Sequence, residues 1–361
     1  MINQASPDFS EKVIEYFQDI YDRNWYTEGK YTKLVIDKFS RESNIENVLP
    51  VPNGTLGIFL AILALDLPPK SKIIVPTFTF YGSITPILFA GHIPVLADCC
   101  PSTYQMTVEN IKEVYTSDVK AVMTIPIYGQ SANLDEIHDF VREEKLFWIE
   151  DCAQGVGVSW NGKHVGSYGD VAIFSTFSDK SFASGEGGLI ASNSDQIFRN
   201  ITLIRNQGRM NSGTFSHESL GMNFRITDIQ AALMYEQFMR WKEIRTQRQT
   251  TWMNWFNNIS DCKQLQSQQI LFLSESVPFR FAFISDNQKS DMNIIESFGM
   301  ATRGCFMPMH LQPKLLKYSD ISLPNSEKIW KQGICLPVHH EVTLDIIKEI
   351  TKGLNYEISY L

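Results

Sequence analysis

Apolar residues at three-to-four spacing, Val13, Tyr16, Phe17 and Ile20, predict an amphipathic helix near the amino end. A second helical stretch comes after Trp25-Tyr-Thr-Glu-Gly29 and runs to about Glu42. From there short apolar runs alternate with helical ones, the order that a largely parallel α/β sheet requires. Lys72–Val75 closed by Pro76, Ile93–Ala97, Val119–Pro126, Leu146–Ile149, Val171–Phe174 and 189–191 read as strands. Ile58–Leu65 reads as an apolar helix. Asn133 followed by Glu136 opens another, carrying Leu134, Ile137 and Val141, in a capping-box pattern. Thr227 with Gln230 repeats that pattern before a helix from Ile229 to about Trp241. Beyond Gln247 the α/β rhythm stops. The remaining residues read as a smaller α+β lobe, with a strand at Pro278–Ile284, a helix near 291–298 and a last helix from Leu344. The expected division is a large domain of 1–245 and a small one of 246–361.

Length agrees with that plan, since 361 residues suit two lobes or one large α/β unit. A hydrophobic fraction of 43% with 20% charge is that of an ordinary globular protein. The formal charge of −8, without a basic block, argues against a nucleic-acid partner. Local donors can still hold an anionic substrate. Six cysteines lack the C-x-x-C and Cys/His spacings of a zinc site and give no disulfide framework, so no metal is expected. The first residues lack the regions of a signal peptide, and no apolar run approaches membrane-spanning length. A reduced, soluble, cytoplasmic protein without a membrane partner is the expectation.

Against this background Lys180 stands out. The strand Val171–Phe174 runs into small polar residues, presents Lys180, and passes into Gly185-Glu-Gly-Gly188, where close backbone approach is expected. The strand Leu146–Ile149 ends in Glu150-Asp151-Cys-Ala-Gln154. A lysine able to form a Schiff base, with an aspartate for a pyridinium nitrogen, is the minimal equipment of pyridoxal phosphate chemistry. Each piece also has a plainer reading. Lys180 reads equally as a surface lysine, and Asp151 as the N-cap of the next turn. Pro52-Asn-Gly54-Thr55-Leu-Gly57 is either a turn with a cap or an anion site at a helix N-terminus. Phe80, after the strand closed by Pro76, is core or a surface for a flat ring.

Taken in order, these pieces resemble the DegT/DnrJ/EryC1/StrS family of sugar aminotransferases. The likeness runs from about Asn24 to Gln237 and more thinly to Pro337. Further marks are Tyr128-Gly-Gln130, Val165-Gly-Ser-Tyr-Gly-Asp170, Arg205-Asn-Gln-Gly208 and Gly221-Met-Asn-Phe-Arg-Ile-Thr-Asp. The resemblance implies a pyridoxal-phosphate transferase of fold type I: a mostly parallel seven-stranded sheet in the large domain and a small α+β domain. It implies Lys180 as the Schiff-base lysine, Asp151 on the ring nitrogen, Gln154 on the ring hydroxyl and Phe80 on the ring face. Gly54, Thr55 and Ser175 would hold the phosphate. Asn223 would reach it from a second subunit, so a homodimer with shared sites is expected. Thr27, Arg303 and His310 resemble positions at a nucleotide-sugar entrance. A dehydratase branch carries histidine at the Schiff-base position, and Lys180 here implies transamination instead. Glutamate is the expected donor, and the expected acceptor is a 4-keto-6-deoxyglucose on dTDP or UDP. A 3-keto or GDP-linked sugar is the alternative, and a non-catalytic cofactor-binding regulator a further one. Pro68-Pro-Lys-Ser-Lys72 departs from the family's Gly-Asp turn, at the surface.

Overall fold

In the computed structural model, which describes residues 1–358 apart from positions 212, 214, 261, 263, 264, 319 and 320, seven strands form one sheet. They are β1 (Val48–Val51), β2 (Lys72–Pro76), β3 (Ile93–Ala97), β4 (Val119–Thr124), β5 (Phe147–Asp151), β6 (Val171–Ser175) and β7 (Gly188–Ser192). Their spatial order is β1-β7-β6-β5-β4-β2-β3. Only β7 runs antiparallel to its neighbours. The expected mostly parallel seven-stranded sheet is therefore present.

Both sheet faces are covered, which is why the strands read as continuous apolar runs. Ile73, Val75, Ala121, Met123, Ile149 and Ile173 pack with the Gly54–Ala64 helix on one face. Ile74, Val122, Trp148, Ala172 and Phe174 pack with Phe39, Phe238 and Trp241 on the other. The Gly54–Ala64 helix lies close to the sheet at Gly57, where a Cβ would come within 2.7 Å of Ile173. The Asp228–Met239 helix starts in a full capping box of Thr227 and Gln230. Its first residue does a second job. Buried Asp228 accepts bonds from the N–H groups of Gly29, Tyr31 and Thr32 and from the Thr32 hydroxyl at 2.9–3.3 Å, and so caps the Lys30–Ser43 helix.

The carboxy-terminal part builds an antiparallel sheet of β8 (Leu265–Ser267), β9 (Phe281–Ser285), β10 (Arg303–Gly304) and β11 (Gly333–Leu336), in the order β8-β9-β11-β10. Trp255, Phe281, Phe283, Ile295, Leu336 and Ile347 form its core. The expected boundary near residue 245 falls inside one helix, Trp241–Ile259, so the chain leaves the large sheet without a flexible linker. The amino end ties the two parts together. Ile2 bonds to Gly299 and Ala301, the Gln4 side chain to Ala301 and Cys335, and Asp8 to Arg240. None of the described helices is long and apolar enough to cross a membrane.

Candidate active site

The carboxyl ends of β1, β2, β4, β5 and β6 lie along one edge of the sheet, where ligands of open α/β folds bind. The segments after them line one cavity of about 860 Å³. After β1, Asn53 caps the Gly54–Ala64 helix by accepting from Leu56 N–H at 2.9 Å, and Gly54 and Thr55 face the cavity. A Cβ on Gly54 would meet Ser175 Cβ at 3.1 Å, so the helix start and the end of β6 form one cradle. A Cβ on Gly82 would lie 2.7 Å from Thr55 Oγ1, which brings the loop after β2 against the same cradle. That loop presents Phe80, a large aromatic that is 61% exposed yet lines the cavity.

Asp151 ends β5 and is buried. Ser83 Oγ donates to its Oδ2 at 2.7 Å and Ala153 N–H to its Oδ1 at 3.1 Å. Burial raises its pKa, while Ser83, Ala153 and the charge of Lys180 pull it down. Gln154 Oε1 accepts from Tyr128 N–H at 2.8 Å, and Gln154 lines the cavity. After β6 the chain makes a tight excursion: Ser178 N–H bonds to Gly185 O at 3.0 Å and Thr176 N–H to Gly187 O at 3.0 Å. Gly185, at φ +79°, supplies the turn that lets it close. Lys180 projects from it into the cavity, its side chain 16% exposed. Burial lowers the amine's pKa against the opposing pull of Asp179 and Asp151.

Gly54, Thr55, Phe80, Asp151, Gln154, Ser175, Lys180 and Arg303 are thus brought together in one wall. Three other expected residues are not. Asn223 is exposed on a bridge to Asn206, and Thr27 is exposed on a bridge to Thr227. His310 is buried, its ring held by Thr77 Oγ1 at 2.8 Å and Glu327 at 3.4 Å, and does not line the cavity.

The family model of the DegT/DnrJ/EryC1/StrS aminotransferases matches residues 7–355. The chain belongs to that family. Among its relatives is the GDP-perosamine synthase of Escherichia coli O157:H7, 27% identical over 353 residues, covering 97% of this chain and 96% of the relative. An aminotransferase from Streptoalloteichus hindustanus has the same fold, with a TM-score of 0.93 at 22% identity over 100% of this chain and 99% of its own. So does the E. coli GDP-4-keto-6-deoxy-D-mannose-3-dehydratase, solved with hydrated pyridoxal phosphate, with a TM-score of 0.91 at 23% identity over 98% and 99%.

Pyridoxal phosphate is the cofactor of this aminotransferase family, and the cavity has the donor set that such a group needs. A glycine cradle at a helix N-terminus, a buried carboxylate without a full-strength cationic partner and a lysine of lowered pKa face one space. Sequence reasoning gave no role to four residues of the aminotransferase's wall. Tyr128 and Phe306 stack at 5.4 Å, while Asp179 and Arg280 flank Lys180. Asp179, next to the lysine, was open to reading; Arg280 needed the fold.

Proposed function

We propose that this chain transfers an amino group from glutamate to the keto carbon of a nucleotide-linked 4-keto-6-deoxy sugar. The observation that carries the reading is the convergence of Lys180, Asp151 and the Gly54–Ser175 cradle in one cavity at the carboxyl edge of the sheet. Gly54, Thr55 and Ser175 would hold the cofactor's phosphate, Phe80 its ring face, Gln154 its ring hydroxyl and Asp151 its ring nitrogen. When bound, pyridoxal phosphate supplies an electrophilic carbon for the amine and an electron-withdrawing ring. Asp151, kept from water, favours a proton on the ring nitrogen. Lys180 takes and returns the proton at the donor's α-carbon, a task suited to an amine whose burial favours the neutral form. Arg303, exposed and lining the cavity, would meet the nucleotide's phosphates.

Among nucleotides, the relative named GDP-perosamine synthase moves the favoured carrier from dTDP or UDP to GDP. A homodimer is part of the proposal. Trp25, Tyr26, Leu220, Met222 and Ile229 are exposed apolar residues on adjoining segments, tied by the Thr27–Thr227 bridge. The patch reaches the cavity rim, where Gln230 bonds to the backbone of Glu186 at 3.1 Å. Thr27 and Asn223 lie on it and would serve the partner's site.

The test is borohydride reduction of the yellow holoenzyme followed by peptide mapping, with assays against GDP-, dTDP- and UDP-linked keto sugars. The cofactor mass should appear on the Lys180 peptide, and Lys180→Ala should transfer no amine. A visible band that glutamate leaves unchanged would instead mark a cofactor-binding regulator.

A further inference from the structure

Arg280 is a buried cation, 3% exposed, in the cavity wall just before β9. Its Nη1 donates to the carbonyl of Gln4, and its Nη2 lies 3.5 Å from Asp179 Oδ2. The other oxygen, Asp179 Oδ1, is buried without a hydrogen bond among the described residues, 3.9 Å from Lys180 Nζ. Arg280 Cζ and Lys180 Nζ each stand 4.6 Å from the centre of the Phe279 ring. One carboxylate therefore lies between a guanidinium and an amine, beyond the roughly 2.8 Å of a strong charge-assisted bond to either. Arg248 packs behind them, its guanidinium on the carbonyls of Pro278 and Lys180, and adds positive charge without reaching the cavity. Burial lowers the pKa of Arg280 despite the opposing pull of Asp179. Arg280 is thus a buried cation whose anionic partner, Asp179, stands no nearer than 3.5 Å.

We propose that Arg280 binds the carboxylate of the amino donor, and that Asp179 is its exchangeable counter-ion, passing to Lys180 once that amine has taken up the donor's proton. The inference rests on the transaminase reading above. An amino-acid donor carries its carboxylate on the same carbon as the transferred amine, so the two lie about 3 Å apart. The carboxylate must then bind close to Lys180. The cradle of Gly54, Thr55 and Ser175 is committed to a phosphate, and Arg303 is exposed at the mouth. Arg280 is the buried cation linked to Lys180 through one side chain, and its planar fork matches a carboxylate in two bonds. Charge balance agrees. Once Lys180 holds the donor's proton, two carboxylates face two cations, and Asp179 gains a partner for the oxygen that has none.

Calorimetric titration of the holoenzyme with glutarate, a dicarboxylate with no amine to transfer, tests the site apart from turnover. Wild type should bind it, Arg280→Lys about tenfold more weakly and Arg280→Met about a hundredfold. The KM for glutamate should rise in parallel, with the keto-sugar KM within about twofold of wild type. Arg280→Met leaves Asp179 buried without its cation, so the charge-neutral Asp179→Asn/Arg280→Met protein provides a second test and should bind glutarate equally poorly. Asp179→Asn alone should bind it more tightly, and should move the acid limb governed by neutral Lys180 to lower pH, because Asp179 raises that amine's pKa. Unchanged glutarate affinity in the Arg280 variants, or a loss confined to the keto-sugar KM, overturns the proposal while leaving the aminotransferase reading intact. Glutarate bound through Arg280 by a protein that transfers no amine supports the site and removes that reading instead.

Discussion

Glu150 and Asp151 are neighbours on β5 and face opposite sides of the sheet, as consecutive strand residues must. Glu150 accepts bonds from the N–H groups of Gly166, Tyr168 and Gly169 at 2.6–2.9 Å and is occupied in holding that loop. Asp151 faces the cavity, and its bond from Ala153 N–H makes it a turn cap as well. Capping the turn and facing the cavity are therefore compatible in one side chain. His164 shows the opposite case, a residue that sequence gave no reason to notice. Its Nδ1 donates to the Val165 carbonyl, its Nε2 accepts from Gly157 N–H at 2.9 Å, and Phe39, Phe174 and Trp241 surround it. Protonating Nε2 would break the Gly157 bond in an apolar site, and burial depresses the pKa from 6.5 to about 4. A depressed histidine leaves the unfolded chain holding more protons than the folded one between those values. Stability should thus fall as pH drops from about 6.5 towards 4, by about 3 kcal/mol from this group. Urea unfolding across that range should show the fall in wild type and a slope shallower by that amount in His164→Gln; equal slopes would clear His164.

Among the elements, the long apolar strands and capped helices were legible because each declares itself locally. Ile93–Ala97 is strand from end to end as expected, and Thr227 does form a capping box with Gln230. The misses have separate causes. β1 and the pairs Ser159–Trp160 and Lys163–His164 are too short to show a period. The Trp241–Ile259 helix mixes polar and aromatic residues around its circumference, so no apolar stripe announces it where the rhythm was read as ending. Capping across elements is invisible for another reason, since the Lys30–Ser43 helix has no side-chain cap of its own and takes Asp228 from nearly two hundred positions away. Gly29 is required there, because a Cβ would sit 2.9 Å from Asp228 Oδ2. Asp228→Ala strands several buried N–H groups and should cost about 3 kcal/mol in urea unfolding. A loss under about 0.5 kcal/mol would mean that water replaces the carboxylate.

For the whole molecule, the sequence order of cradle, aromatic, aspartate and lysine carried over into space because every member lies at or after the end of a strand whose carboxyl end is on one edge. Arg280 was not legible, since it reaches the cavity from the other sheet. Assembly is testable at this scale. Mixing Lys180→Ala with Asn223→Asp should regenerate activity in hybrid dimers, where one site receives both intact residues, and hybrids no better than the parents' mean after proven subunit exchange would count against a shared site. The amino-terminal strand of contacts has a consequence of its own. Chain ends are commonly trimmed to help expression or crystal growth, and most tolerate it because little holds them. Here the carbonyl of Gln4 is bonded to Arg280, itself one side chain from Lys180. Shortening the polypeptide before Asp8 is therefore an edit to the catalytic wall, and kinetic constants from such a truncation describe a different enzyme.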